Sequence, residues 1–265
     1  MDFLQTMTPF LLVAIGGLYT EYSGTTNVAL EGYMTLSAFL FISISKLTGS
    51  IYYGVLLTLI IILIVSYLHA ALTIKLKANP IITGLALNMG FFGLISAVGY
   101  KIFNTKGVIL LETMPQIDTT VITIFALVLP FLTLFIMKNT TYGLRLKVRG
   151  ISKKNLLYSN INPNFYRITS VMISGFLSSL GGIFLGMELR SFIPNISAGR
   201  GWISLVIIYL GRKHPVGILI GCIIFSFTQI LSNLSQSQSI PTDIILASPY
   251  IFTLIALILT SRRTK

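Results

Sequence analysis

Nine apolar runs dominate this chain, at about residues 3–19, 28–45, 51–73, 81–100, 120–137, 168–189, 202–211, 216–231 and 247–261. A helix crosses a hydrocarbon core about 30 Å thick with about 20 apolar residues, and Ile51–Leu68 is the clearest full span. The runs are continuously apolar, without the two-residue alternation of a lipid-facing barrel strand, so helices are expected. Residues 202–211 are too few to cross alone. They read as a half-helix or re-entrant piece, which a bilayer tolerates only where protein or a water-filled cavity covers the backbone. Only 10% of the 265 residues are charged, against about 25% in a soluble domain. That excludes a soluble enzyme, and no stretch remains for a soluble domain of ordinary size. The expectation is an all-α, polytopic helical membrane protein. It would have about 8 transmembrane segments with broken or re-entrant helices, forming a single transmembrane domain over 1–265.

Charge sets the expected orientation. Lys and Arg number 19 and Asp and Glu 7, for a net +12. In a soluble protein that excess would suggest a polyanionic partner such as nucleic acid. Here the cations sit between apolar runs, where they fix topology, so no nucleic acid is expected. Lys138, Arg145, Lys147, Arg149, Lys153, Lys154 and Arg167 share one loop that has no acidic residue, which places about 138–167 in the cytoplasm. Alternating outward puts 20–27, 74–80, 211–215 and the C-terminus on that side. Lys46, Lys101, Lys106, Arg190 and Arg200 fall on the other. The chain has no Lys or Arg before Lys46, which argues against a cleaved signal peptide. The single Cys222 lies in an apolar run, so no intrachain disulfide can form.

The densest polar constellation runs from Glu21 to Gly32, with two carboxylates, Asn27 and two glycines between apolar runs. Charge at mid-membrane is costly and normally faces a cavity or a partner. On a helix Asn27 and Glu31 would share a face. The alternatives are a broken helix lining a polar path, or a short interfacial loop with both carboxylates in water. Asn79-Pro80 signals a helix start, and Asn88 lies inside the apolar run that follows. An intramembrane Asn usually bonds a neighbouring helix; lining a solute path is the second reading.

Ser174, Ser178, Gly182 and Gly186, spaced by four, form a small-residue stripe expected to pack helices. Glu188 follows near the membrane edge. Glycines around Arg200 suggest a tight helix start, where Arg200 could bind an anionic or polyhydroxylated group or anchor at the interface. Trp202 suits an interfacial belt. In the basic loop, Lys153–Asn160 reads as a short helix with Ser152 as N-cap. The polar stretch 232–246 reads as a solvated linker, with an external contact surface as the alternative. The chain has no phosphate-cradling loop, no nucleophile elbow and no His-Glu-x-x-His metal motif. His69 and His214 stand apart from any Cys or carboxylate cluster, so neither catalysis, a metal nor a cofactor is expected.

These residues carry a resemblance. Glu21-x-x-Gly24-x-x-Asn27-x-x-Leu30-Glu31-Gly32 resembles the S-E-x-x-G-x-x-N-x-x-x-E-G signature of ABC-importer permeases of the nucleoside and simple-sugar branch, related to ribose and branched-chain amino acid permeases. Further segments are similar to that family in the same order. They are Asn79-Pro80 through Gly84 to Asn88, Gly143-Leu144-Arg145 through Gly150, Ser174-Gly175 to Gly181-Gly182, Gly199-Arg200-Gly201, and Gly211-x-x-x-Pro215-x-Gly217. Ile151, Ser152, Leu156 and Leu157 depart from the family's usual coupling loop, and Trp202 replaces its Phe.

The resemblance implies the transmembrane subunit of an ATP-driven importer in a bacterial inner membrane. Its partners would be an ABC ATPase subunit that hydrolyses ATP, a second permease subunit in a homodimer or heterodimer, an extracytoplasmic solute-binding protein, and membrane lipid. The solute would be a nucleoside, purine first and simple sugar second, moved by alternating access. Glu21, Asn27, Glu31 and Asn88 are expected to line or shape the path. Gly143, Arg145, Arg149, Gly150, Lys153, Lys154 and Asn155 are expected to couple to the ATPase. A different class, an ion-coupled carrier using Glu21 and Glu31, is the alternative; an intramembrane enzyme ranks last.

Overall fold

Asn-Pro pairs start two of the long helices. A computed structural model describes residues 2–105, 107–111 and 118–235. In it the Asn79 side chain accepts hydrogen bonds from the Ile81 and Ile82 amides, and Pro80 opens α4 (Pro80–Phe103). Asn162 caps α8 (Pro163–Leu189) in the same way, through the Asn164 amide. Pro presets the first-turn φ where its missing N–H costs nothing. The other helices are α1 (Phe3–Tyr22), α2 (Leu30–Thr48), α3 (Ile51–Lys75), α5 (Thr120–Asn139), α6 (Thr141–Ile151), α7 (Lys153–Tyr158), α9 (Arg200–Leu210) and α10 (Pro215–Ser235). Lys106, the run 247–261, most of 232–246 and the basic C-terminal residues lie outside the described residues.

Among the described residues, six helices are long and apolar enough to cross a membrane: α1, α3, α4, α5, α8 and α10. α2 is 19 residues long but rich in hydroxyls. It sits in the bundle interior, where Thr35 and Ser37 return their hydroxyls to the carbonyls of Glu31 and Met34.

At the centre stands α8, packed against α1, α2 and α3. The small-residue stripe permits this. Ser174 and Ser178 are fully buried. A Cβ on Gly182 would lie 2.1 Å from the Met34 carbonyl oxygen, and one on Gly186 would lie 2.9 Å from the Phe41 ring. The backbones approach because no side chain separates them. Outer faces of α3, α4 and α5 expose Leu56, Ile60, Ile64, Met89, Val121 and Phe131, as lipid contact requires.

The two ends of the bundle differ. At one end the Tyr22 hydroxyl donates to the Lys213 carbonyl at 2.8 Å, and Arg149 donates to the Ser23 carbonyl. Loops 20–29, 138–167 and 211–214 therefore meet there. At the other end a two-residue antiparallel ribbon, β1 (Ile109–Leu110) with β2 (Ser191–Phe192), is joined by Lys46, whose ammonium donates to the Leu110 carbonyl. The apolar-run reading missed this ribbon, whose strands are too short to show a period.

α9 has 11 residues and so a length of about 16 Å, roughly half the hydrocarbon thickness. Residues 190–199 lead into it with Ile196 and Ser197 buried, so the short run is a half-helix inside protein. In the basic loop, two helices form where one was expected. α7 ends at Tyr158 rather than Asn160. Asn160 takes a left-handed φ of 55°, and the Ile161 amide returns to the Leu156 carbonyl. Ser152 precedes α7 without a side-chain cap bond.

Candidate functional site

Between α1 and α2 the chain leaves helical geometry for residues 23–29. Unpaired backbone groups away from water cost several kcal/mol each, so this break needs partners. Asn88, from α4, supplies two of them. Its amide nitrogen donates to the Val28 carbonyl at 3.0 Å, and its amide oxygen accepts from the Gly32 N–H at 2.8 Å. Asn27 accepts from the Ala29 N–H at 3.0 Å and donates to the Ser174 hydroxyl on α8 at 2.9 Å. Ser170 donates to the Ser23 hydroxyl, and Arg149 holds the Ser23 carbonyl. Gly24, at φ 70°, meets Gly150 so closely that a Cβ on Gly150 would lie 2.3 Å from the Tyr22 carbonyl oxygen.

Asn27 therefore lies outside a helix and shares no helical face with Glu31. The reason is the left-handed turn at Gly24, which the four-residue spacing does not reveal. Neither carboxylate is in water: Glu21 is 9% and Glu31 4% exposed. Glu21 accepts from the Tyr209 hydroxyl at 2.9 Å and pairs with Lys213 at 2.8 Å. That partner holds the Lys213 ammonium above the ordinary lysine range, chiefly through the hydrogen bond itself.

Glu31 meets the start of the half-helix. Its carboxylate accepts from the Gly201 N–H at 2.7 Å, the Gly199 N–H at 3.0 Å and the Ser197 hydroxyl. A carboxylate suits a helix N-terminus, where free N–H groups and the macrodipole concentrate positive potential. Asn27, Asn88 and Glu31 thus brace three elements around one break, while Glu21 closes its basic end.

A cavity of about 450 Å³ opens beside the α9 start, lined by Glu31, Phe92, Asn195, Ala198, Gly199, Arg200, Trp202, Ile203, Gln229 and Ser232. Of the four expected path residues only Glu31 reaches it. Arg200 lies over the Phe10 ring and gives one guanidinium nitrogen to the Ile196 and Ser197 carbonyls. Trp202, expected in an interfacial belt, lines this cavity. Sequence reading missed Phe92, Asn195 and Gln229; the signal for Gln229 was a lone amide inside the apolar run of α10. Glu188 accepts from the Thr119 hydroxyl and lines a separate cavity with Asp118 and Arg190.

The residues expected to meet the ATPase divide in two. Gly143 packs against Ile136 and Met137 of α5, and Gly150 against Tyr22 and Gly24. Arg149 turns inward onto Ser23, and burial pushes its guanidinium below the ordinary arginine range. Arg145 reaches the Tyr166 hydroxyl at 3.3 Å from an exposed position. Lys153, Lys154 and Asn155 are exposed on α7 beside exposed Leu157 and Tyr158.

Residues 1–260 match the family described as the permease component of branched-chain amino acid transport systems. The chain belongs to this permease family. Its membership and its apolar helices make it a multi-pass integral protein of the inner membrane. The permease is 28% identical to the nucleoside ABC transporter permease protein NupC of Lactococcus lactis, over 95% of this chain and 88% of the relative. It is 29% identical to the guanosine ABC transporter permease protein NupQ of Bacillus subtilis, over 94% and 87%. Against the putative glucose ABC transporter permease protein TsgC13 of Haloferax volcanii, identity is 24% over 91% and 78%.

In this permease the short motifs are matched surfaces. The Glu31-Gly32 segment receives Gly201, where a Cβ would lie 2.5 Å from the Glu31 nitrogen. Gly24 receives Gly150. Gly217 meets Gly211, where a Cβ on Gly217 would lie 2.3 Å from the Gly211 carbonyl oxygen, closing the turn from α9 to α10.

Proposed function

We propose that this permease is the membrane subunit of an ATP-binding-cassette importer for a nucleoside, purine first and simple sugar second, working by alternating access. The observation that carries the reading is the cavity at the start of α9. It is of small-ligand size and sets the aromatic rings of Phe92 and Trp202 beside Glu31, Asn195, Arg200 and Gln229. A nucleoside needs that mixture: a π-face for the base and polar groups for the ribose hydroxyls. The relatives named for nucleosides and guanosine support the solute class, and the relative named for glucose supports the second choice.

Glu31 would form part of the path wall, with Asn27 and Asn88 shaping it by fixing the 23–29 break and Glu21 bordering its basic end. The exposed face of α7, with Lys153, Lys154 and Asn155, would enter a groove on a separate ATPase subunit. Arg145 would border it, while Gly143, Arg149 and Gly150 would transmit its movement to the break. A second permease subunit would complete the path, and an extracytoplasmic binding protein would deliver solute.

The test is uptake by the complex reconstituted in proteoliposomes, with labelled guanosine, ribose and glucose offered in parallel. ATP-dependent guanosine uptake supports the reading. ATP-dependent uptake of a sugar alone moves the assignment to the sugar. Uptake by this chain alone, driven by an ion gradient with no ATPase, overturns the importer.

A further inference from the structure

A second cavity, of about 540 Å³, lies at the basic end of the bundle. Its lining includes Lys77, Arg149, Lys153 and Arg167, together with Asn79 and Asn164, and contains no Asp or Glu. The one ion pair among the described residues joins Glu21 to Lys213, so Glu21 is already engaged. Among the described residues, four cations from the α3–α4 link, α6, α7 and α8 thus line one space without a counter-charge.

Two further observations bear on these cations. Among the described residues, the buried Nε atoms of Arg149 and Arg167 have no hydrogen-bond partner. A buried donor without an acceptor is costly, more so when it is charged. The first turns of α4 and α8 also border the space, since Pro80, Asn164 and Arg167 are among its lining residues. Both helices are long, and each brings the positive end of its dipole to the cavity.

Leu76, Ile81 and Ile82, close in sequence to the lining residues Lys77 and Pro80, are exposed large apolar side chains. A free anion gains nothing from that flank, whereas acyl chains do. We propose that the cavity binds the phosphate of an anionic phospholipid of the inner leaflet. The headgroup would sit among Lys77, Arg149 and Arg167, and the tails would lie along Leu76, Ile81 and Ile82. Basic pockets between spanning helices on the cytoplasmic side bind such headgroups. The lipid would tie the α3–α4 link to α6 and α7, and so to the break that Arg149 holds.

The test uses the full chain in neutral detergent, followed by thermal unfolding and native mass spectrometry. Phosphatidylglycerol, phosphatidylcholine and inorganic phosphate are added in separate arms. Phosphatidylglycerol is expected to raise the unfolding midpoint by about 3 °C and to remain bound in the mass spectrum, while phosphatidylcholine does neither. Arg167→Gln is expected to abolish the shift. If that variant does not fold, Lys77→Asn serves, since Lys77 is exposed and Asn accepts its left-handed φ of 51°; its shift should fall by at least half. Lys138→Gln, exposed outside the cavity lining, should keep the full shift. Equal shifts from the two lipids, or equal loss in Lys77→Asn and Lys138→Gln, overturn the proposal. An equal shift from millimolar inorganic phosphate overturns the lipid assignment.

Discussion

The Glu31 carboxylate accepts the Gly201 backbone N–H at 2.7 Å and so caps the half-helix α9 from α2. Glu31→Ala would leave the Gly199 and Gly201 amides unpaired beside the helix dipole. The expected cost is about 3 kcal/mol, and about 1 kcal/mol for Glu31→Gln, which keeps an acceptor but loses the charge. Thermal unfolding in detergent gives the ranking. Equal midpoints for Glu31→Ala and the parent chain would show that the cap contributes nothing.

Asn88 satisfies one donor and one acceptor of the α1–α2 break. Asn88→Ala removes both partners from buried backbone, for an expected loss of about 2 to 4 kcal/mol. Amide hydrogen exchange provides a local reading: the Gly32 amide should lose protection well before those of α5. Unchanged protection at Gly32 would refute the brace.

Gly182 and Gly90 offer a matched comparison. A Cβ on Gly182 would sit 2.1 Å from the Met34 carbonyl oxygen, whereas one on Gly90 would meet nothing within 4 Å. Gly182→Ala is expected to lower the yield of monodisperse protein sharply. Gly90→Ala should be neutral or slightly stabilising, because alanine favours a helix by about 1 kcal/mol. Size-exclusion profiles of the two variants, prepared in parallel, decide the matter.

Lys213 and Glu21 set a pH dependence. The folded-state pKa of Lys213 is raised by its partner, so its stabilisation is fully present below the unfolded lysine pKa of about 10.4. It fades as pH rises through the raised value. Lys213 is 47% exposed, so solvent screening keeps the expected effect to about 1 kcal/mol or less. The difference in unfolding midpoint between the parent and Lys213→Gln should stay constant from about pH 6 to about pH 9 and shrink above that. A difference that grows with pH would contradict the pairing.

Much of the scaffold was legible along the chain. Asn79-Pro80 announces α4, the run Ile51–Leu68 lies within α3, the spacing from Ser174 to Gly186 announces a packed face, and the shortness of 202–211 announces a half-helix. These are local matters, governed by apolar length, φ restriction and the absence of side chains, and a sequence states them directly.

Partners are another matter, and the tertiary structure alone decided them. Glu31 finds its acceptor role with residues 166 to 170 positions away, and no spacing within 21–32 reports that. Arg149 and Lys153 belong to one uniform run of cations, yet Arg149 turns inward to the Ser23 carbonyl while Lys153 is exposed. A periodic pattern tells which face of a helix is apolar; it does not tell which backbone group a buried polar side chain will meet. That is settled only when the break at 23–29, the start of α9 and the end of α6 are packed together, because each buried donor and acceptor must then find its partner in the protein.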